Sequence, residues 1–242
     1  MANMAMVLNR PKNDSCVETL ARQSVMEYAV YASSIMDYYR NSSYAIMSQT
    51  DLDDPNGYLD QALGQRKGVI FATGHFGNWD IAGAIIASRR PLWVIQESFA
   101  DPRINEILRR IRESKNMKSL QMTDSLLPLL RGLLRGESVG VMIDRPTPGK
   151  GVEVDLFGSS IMVPDGIGRL AVRAEVPVLV GGAIRGRDGR HTLVVRGTVC
   201  PREAHTEEEN IQQITQDVFV HFEHLIRRVP HQWYMFRKMW LS

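Results

Sequence analysis

Long apolar runs are missing from this chain of 242 residues: no stretch approaches the roughly 20 apolar residues that a membrane-crossing helix needs. The opening segment, MANMAMVLNRPKND, also lacks the apolar core of a secretory signal peptide. Cysteine is scarce. Cys16 and Cys200 stand far apart, with no Cys or His at ligand spacing beside them, which excludes a disulfide framework and a structural zinc site and fits a reducing compartment. Net charge is small, formally +2, so no strong global field points to nucleic acid. Neither Gly-x-Gly-x-x-Gly nor a phosphate-cradling Gly-x4-Gly-Lys loop occurs, and nucleotide-driven chemistry therefore has no support.

What is present is an ordinary globular composition, 44% hydrophobic and 23% charged. That supplies one substantial core and is short for two, so residues 1–242 are expected to form a single domain. Residues 15–39 place Val17, Leu20, Ala21, Val25, Tyr28, Ala32, Ile35 and Tyr39 on one helical face, predicting an amphipathic helix at about 15–40. Asp51 to Gly57 reads as a turn-rich connection.

The chain is organised around Gly68 to Ala87, GVIFATGHFGNWDIAGAIIA. Val69 to Ala72 is an apolar run of strand length, Thr73-Gly74 breaks it, and Ile81, Ala84 and Ile85 resume at helical spacing. His75 and Asp80 sit in the elbow between. If Asn78 caps the helix, Asp80 lies in its first turn, where a carboxylate is favoured by the free backbone donors and the positive end of the dipole. His75 can then fold back onto Asp80, which would fix its tautomer and leave the other ring nitrogen free to accept a proton. The same spacing also suits an ordinary helix start, with Asp80 as a local cap.

Downstream, strand and helix signals alternate. Leu92 to Ile95 reads as a strand. A helix begins at Asp101-Pro102, with Ile104, Ile107, Leu108 and Ile111 facing inward. Asp124 to Arg135 is leucine-rich and helical, and Val139 to Asp144 is a strand that delivers Asp144 and Arg145 at its end. Strands are expected at Val152 to Phe157, at Val176 to Ile184 and, after a turn at Gly186 to Gly189, at Thr192 to Val195. Helices are expected at 166–174 and from Glu207 to Arg228. This order predicts an α/β fold, a mixed and largely parallel sheet flanked by helices. In such sheets ligands meet groups at the carboxyl ends of strands. His191, His205, His221 and His224 have no partnered motif; the last two share a helix face but lack a third metal ligand.

Gly136-Glu137-Ser138-Val139-Gly140 matches the Gly-x-Ser-x-Gly nucleophile elbow, which requires a strand before the serine and a helix after it. Here the order is reversed, and Ser138 is read as a turn residue. The C-terminal QWYMFRKMW interleaves Trp233, Tyr234, Phe236 and Trp240 with Arg237 and Lys238. That pattern suits either a membrane headgroup boundary or internal packing.

Three ordered motifs carry a family resemblance. His75-Phe76-Gly77-Asn78-Trp79-Asp80 resembles the His-x4-Asp/Glu signature of the bacterial late acyltransferases of lipid A biosynthesis, which the phosphatidylinositol mannoside acyltransferases share. Asp144-Arg145 followed by Gly151-Val152-Glu153-Val154-Asp155-Leu156-Phe157-Gly158 is similar to a second block, and Pro230 to Phe236 to a third. Arg112-Glu113-Ser114 also resembles a family segment whose arginine belongs to the site. The resemblance covers roughly Gly68 to Trp240 and implies a glycerol-phosphate-acyltransferase-like fold. It implies transfer of a fatty acyl group from a thioester, acyl-CoA or acyl-carrier protein, to a hydroxyl of a glycolipid or phospholipid.

On this reading no cofactor is needed beyond that co-substrate. His75 is the general base, Asp80 orients it, and Asn78, Arg112, Asp144, Arg145 and Glu153 are candidates for substrate contacts. A thioesterase or lipid hydrolase using the same pair, or a silent membrane-surface binding protein, are the alternatives. Lipid A acyltransferases usually carry an N-terminal hydrophobic anchor, which this sequence lacks. A peripheral place on the cytoplasmic face of the membrane is therefore expected.

Overall fold

A computed structural model describes residues 1–96, 100–121, 125–147 and 149–240. The elements run α1 (Ala2–Leu8), α2 (Ser15–Arg40), α3 (Ser43–Ser48), β1 (Thr50–Asp53), α4 (Tyr58–Leu63), β2 (Val69–Thr73), α5 (Trp79–Arg89), β3 (Leu92–Gln96), α6 (Pro102–Glu113) and β4 (Met117–Gln121). They continue with α7 (Leu127–Leu134), β5 (Ser138–Met142), β6 (Val152–Leu156), β7 (Ser159–Val163), α8 (Gly166–Ala174), β8 (Val178–Arg185), β9 (His191–Val199), α9 (Glu207–Arg228) and a short 3₁₀ turn at Pro230–Gln232.

Seven strands form one sheet in the order β1-β9-β8-β2-β5-β3-β4, and β6 and β7 form a separate antiparallel hairpin. All pairs in the large sheet are parallel except β8 with β9. The chain is thus a single α/β domain with a mixed, mostly parallel sheet.

β2 lies at the centre, and every one of its residues is buried. Its alternating side chains serve two cores, as the twofold strand period requires. Ile70 and Ala72 face a cluster built with α7, α8, α9 and the β6–β7 hairpin. Val69 and Phe71 face a second cluster with α4 and α5. Full burial of such side chains stabilises by about 1.5–3 kcal/mol each. α5 follows at once and is buried on nearly all sides from Ala82 to Ala87. Its small residues permit that: a Cβ on Gly83 would stand 3.0 Å from Met117 Sδ.

Several expectations need correction. The segment 51–57 is not all turn: Asp51 to Asp53 complete β1, pairing in parallel with Thr192 to Val194 at an exposed sheet edge, where Asp51 and Asp53 also form ion pairs with Arg190 and Arg228. α2 packs through Val17, Leu20, Ser24, Tyr31 and Tyr38, whereas Val25, Tyr28 and Tyr39, assigned inward by periodicity, are exposed. The helix turns that way because hydroxyls on its inner face reach polar partners: Ser24 donates to Trp233 O at 2.9 Å, and Tyr31 to Asp80. In α6 only Ile111 of the four expected inward residues is fully buried, and Ile104 and Ile107 are exposed. The expected helix start at Asp124 falls outside the described residues. Trp233, Tyr234, Met235 and Met239 are buried, so the C-terminal aromatics pack inward, and Phe236 alone of that apolar set is exposed.

Candidate active site

The site follows from two adjacent parallel strands ending together. β2 and β5 are paired so that Thr73, the last residue of one, stands opposite Met142, the last of the other. Ile143 N then donates to Thr73 O at 2.8 Å, extending the pairing one step further. His75 and Asp144 each lie two residues beyond their strand ends, at the carboxyl edge of the sheet. His75 Nδ1 is 2.8 Å from Asp144 Oδ1. The second oxygen, Oδ2, accepts from the backbone N–H of His75 at 2.9 Å and from the indole Nε1 of Trp233 at 2.9 Å.

Asp144 is fully buried, while the His75 side chain keeps 21% exposure. A carboxylate that only accepts hydrogen bonds places the ring proton on Nδ1, leaving the Nε2 lone pair outward. Arg145 Nη2 lies 3.4 Å from that nitrogen. Burial, and the charge of Arg237 behind it, hold the Arg145 guanidinium below its ordinary value. The ring of Trp79 stands edge-on to His75, with centroids 5.7 Å apart.

The elbow has no room for side chains at its turns. A Cβ on Gly74 would meet Phe222 Cζ at 2.2 Å and Asp144 Oδ2 at 2.7 Å. Gly77 has φ +57°, and a Cβ there would sit 2.1 Å from Ala183 O. Residues 75–77 bridge to the C-terminal segment: Tyr234 N donates to His75 O at 2.7 Å, and Gly77 N to Gln232 O at 2.9 Å. This pairing, a single antiparallel bridge between Phe76 and Trp233, ties the turned elbow to the C-terminal segment.

Asp80 is therefore not the partner of His75, and among the described residues no hydrogen bond joins the two. Its carboxylate looks toward α2 and α6. Oδ2 accepts from the Tyr31 hydroxyl at 2.7 Å, and Oδ1 faces Arg112 Nε at 3.4 Å. Burial, reinforced by Asp80, pushes the Tyr31 phenol well above its usual range, so it stays a donor. Arg112 also donates through Nη1 to Gln96 Oε1 at 3.0 Å. Arg112 thus belongs to a second polar group beside the first.

Asn78 spends its side-chain oxygen on capping α5, accepting from Ile81 N at 3.0 Å. Glu153 does not come to the site: it lies on the exposed face of β6, where it accepts from Ser160 Oγ. Ser138 opens β5, fully buried, with a helix before it and the strand after.

Trp233, Tyr31 and Gln96 were not singled out for this site in the sequence. A buried indole or phenol needs a partner for its polar atom, and that was the available signal for the first two. Gln96 gave none.

A histidine–carboxylate pair thus sits at the carboxyl edge of a largely parallel sheet, where ligands meet α/β folds of this class, with Arg145 beside the outer ring nitrogen. The chain belongs to the bacterial lipid A biosynthesis acyltransferase family, whose model matches residues 1–242. It is 25% identical over 245 residues to a phosphatidylinositol mannoside acyltransferase of Mycolicibacterium smegmatis, an alignment covering 99% of this chain and 78% of the relative. A phosphatidylinositol mannoside acyltransferase of Mycobacterium tuberculosis is 27% identical over 190 residues, 76% of this chain and 58% of that protein. The protein is an acyltransferase of lipid biosynthesis.

Proposed function

We propose that the protein moves a fatty acyl group from an acyl thioester, acyl-CoA or acyl-carrier protein, to a hydroxyl of a glycolipid or phospholipid, with His75 as base and Asp144 as its partner. The observation that carries this reading is the 2.8 Å bond from His75 Nδ1 to a buried carboxylate, which leaves Nε2 as the ring's acceptor atom, with Arg145 Nη2 3.4 Å from it. The acceptor hydroxyl gives its proton to Nε2 as its oxygen bonds to the thioester carbonyl carbon. The carbonyl π electrons move to oxygen, giving a tetrahedral oxyanion. Collapse breaks the carbon–sulfur bond, and the leaving thiolate takes the proton back from the imidazolium. Asp144 stabilises that imidazolium while it exists. Arg145, a cationic donor beside Nε2, is assigned to the oxyanion, where a charge-assisted bond strengthens as charge develops.

Asp80 has a different task. With Tyr31 and Arg112 it ties the first turn of α5 to α2 and α6, so it shapes the acceptor side of the elbow. A lipid acceptor implies a membrane surface. No helix among the described residues is long and apolar enough to cross a membrane. The outer side of α2 exposes Val25, Met26, Tyr28 and Val30, and Phe236 stacks edge-on against Tyr28 at 5.5 Å. We assign the lipid contact to this face and not to the C-terminal segment as a whole. Anionic vesicles should pull down the protein, and Met26→Asp with Phe236→Asp should weaken that; undiminished co-sedimentation of the double variant would refute the assignment.

The test of the reaction is incubation with labelled acyl-CoA and a total lipid extract, followed by mass spectrometry of the lipid that gains the acyl group. Transfer that persists in His75→Ala, or label released only as free fatty acid whether or not lipid is present, would overturn the proposal.

A further inference from the structure

Asp144 can serve His75 only if its two oxygens are held in one orientation. Inside the protein that orientation has three donors, and two of them converge on Oδ2: the His75 backbone N–H and the Trp233 indole N–H, each at 2.9 Å. The backbone donor belongs to the elbow itself. The indole comes from a distant part of the chain, and its ring is fixed from several sides. Trp233 is fully buried, its carbonyl accepts from Ser24 Oγ at 2.9 Å, and its ring packs against Phe157 with centroids 6.1 Å apart. The residue before it, Gln232, locks the backbone: its side-chain oxygen accepts from Arg185 N at 2.9 Å while its amide donates to Arg185 O at 2.7 Å.

We infer that Trp233 is a positioning residue for the acyl transfer, its indole N–H holding Asp144 so that Oδ1 faces His75 Nδ1. The inference rests on His75 being the base. Without the indole donor, Oδ2 keeps one partner, and a buried carboxylate short of a hydrogen bond is costly. It recovers by drawing more strongly on the ring proton, which makes the imidazole hold a second proton more tightly. The acid side of the pH–rate profile then moves to higher pH, and the carboxylate samples orientations in which Nδ1 is unsupported.

The test is Trp233→Phe, and a variant with β-(3-benzothienyl)alanine at 233, which keeps the bicyclic shape but has sulfur in place of the N–H. Both should lower kcat by about tenfold or more, the scale of one hydrogen bond to a charged group. KM for acyl-CoA should stay within about twofold, because the loss falls on the transition state. The pH at which kcat/KM falls on the acid side should rise. The benzothienyl variant covers the case in which phenylalanine leaves a cavity and unfolds the segment. Unchanged kcat in that variant, or a reduced kcat with the acid limb unmoved, overturns the role of Trp233 and leaves His75 as base. Full activity in His75→Ala, measured alongside, overturns both.

Discussion

The pairing of His75 with Asp144 and not Asp80 can be decided by a double-mutant cycle. General-base catalysis is typically worth ~10²–10⁴-fold, so His75→Ala should cost about that much in turnover. Asp144→Asn keeps the size of the side chain but offers one oxygen where the carboxylate has two. Two N–H donors meet at Oδ2 and only one at Oδ1. The amide oxygen therefore settles at the Oδ2 position, and its NH₂ turns toward His75. The imidazole must then accept at Nδ1 and carry its proton on Nε2, where it can no longer act as a base. The loss should match that of His75→Ala, about 10²–10⁴-fold, and the double variant should be no worse than His75→Ala alone, as groups acting as one unit behave. Asp80→Asn, which loosens the links to Tyr31 and Arg112, should cost about tenfold and multiply with either variant, because sites without a shared partner add in free energy. Initial rates of acylated-lipid formation by mass spectrometry, with acyl-CoA saturating, provide the assay. If the Asp144→Asn and His75→Ala losses multiply, or if the Asp80→Asn loss disappears in the His75→Ala background, the dyad proposed for this site is wrong.

Ser138→Ala should leave transfer unchanged and the Tm equal or higher, since the buried Ser138 hydroxyl has no hydrogen-bond partner among the described residues; a hundredfold loss of transfer would restore the serine as a nucleophile. Gly74→Ala should cost about 1–3 kcal/mol of stability through overpacking, and transfer should fall with it because the new methyl meets both Phe222 and Asp144; urea unfolding and the rate assay check the two halves. Acid sensitivity should be traceable in part to His221, whose ring lies against Gly197 and whose affinity for protons is lowered first by burial and then by His224. A histidine depressed in the folded state binds its proton more readily when unfolded, so stability is complete above about pH 6.5 and declines as the pH falls below it. His221→Gln should flatten the Tm-versus-pH curve in that window, and an unchanged slope would show that other groups set it.

How much of this was legible in the sequence depends on how local each signal is. The strand, elbow and helix of residues 68–87 could be read directly, because a buried central strand leaves an unbroken apolar run and the elbow is marked by glycine. His75 could be read with it. Its partner could not: Asp80 is near in sequence, and local spacing favours it, whereas Asp144 arrives from another strand through a register that only the assembled sheet defines. Asp144 and Arg145 were nonetheless placed at a strand end, the correct edge. Glu153 sat in the right motif and on a strand, but alternation along β6 turns it outward. The face of α2 was misjudged because its inner residues include Ser24 and Tyr31, chosen for hydroxyls that bond to the site and not for hydrophobicity. Strands β1 and β4 escaped notice since edge pairing relies on backbone groups, which leave little trace in side-chain pattern.

The segment carrying Trp233 has a temporal consequence. On a ribosome, residues 75 and 144 emerge long before residue 233, which lies 89 positions beyond Asp144. Asn3, made at the very start, waits for the same late segment, since its side chain donates to the carbonyls of Met235 and Arg237 and accepts from Met239 N. A nascent chain halted before residue 233 would therefore hold His75 and Asp144 without the indole that bonds Asp144 or the segment that bridges to the elbow. On the proposed mechanism the full rate is reached only when synthesis has passed that point, and proteolytic trimming of this tail would remove the indole from Asp144 together with Trp233, Met235 and Met239 from the core.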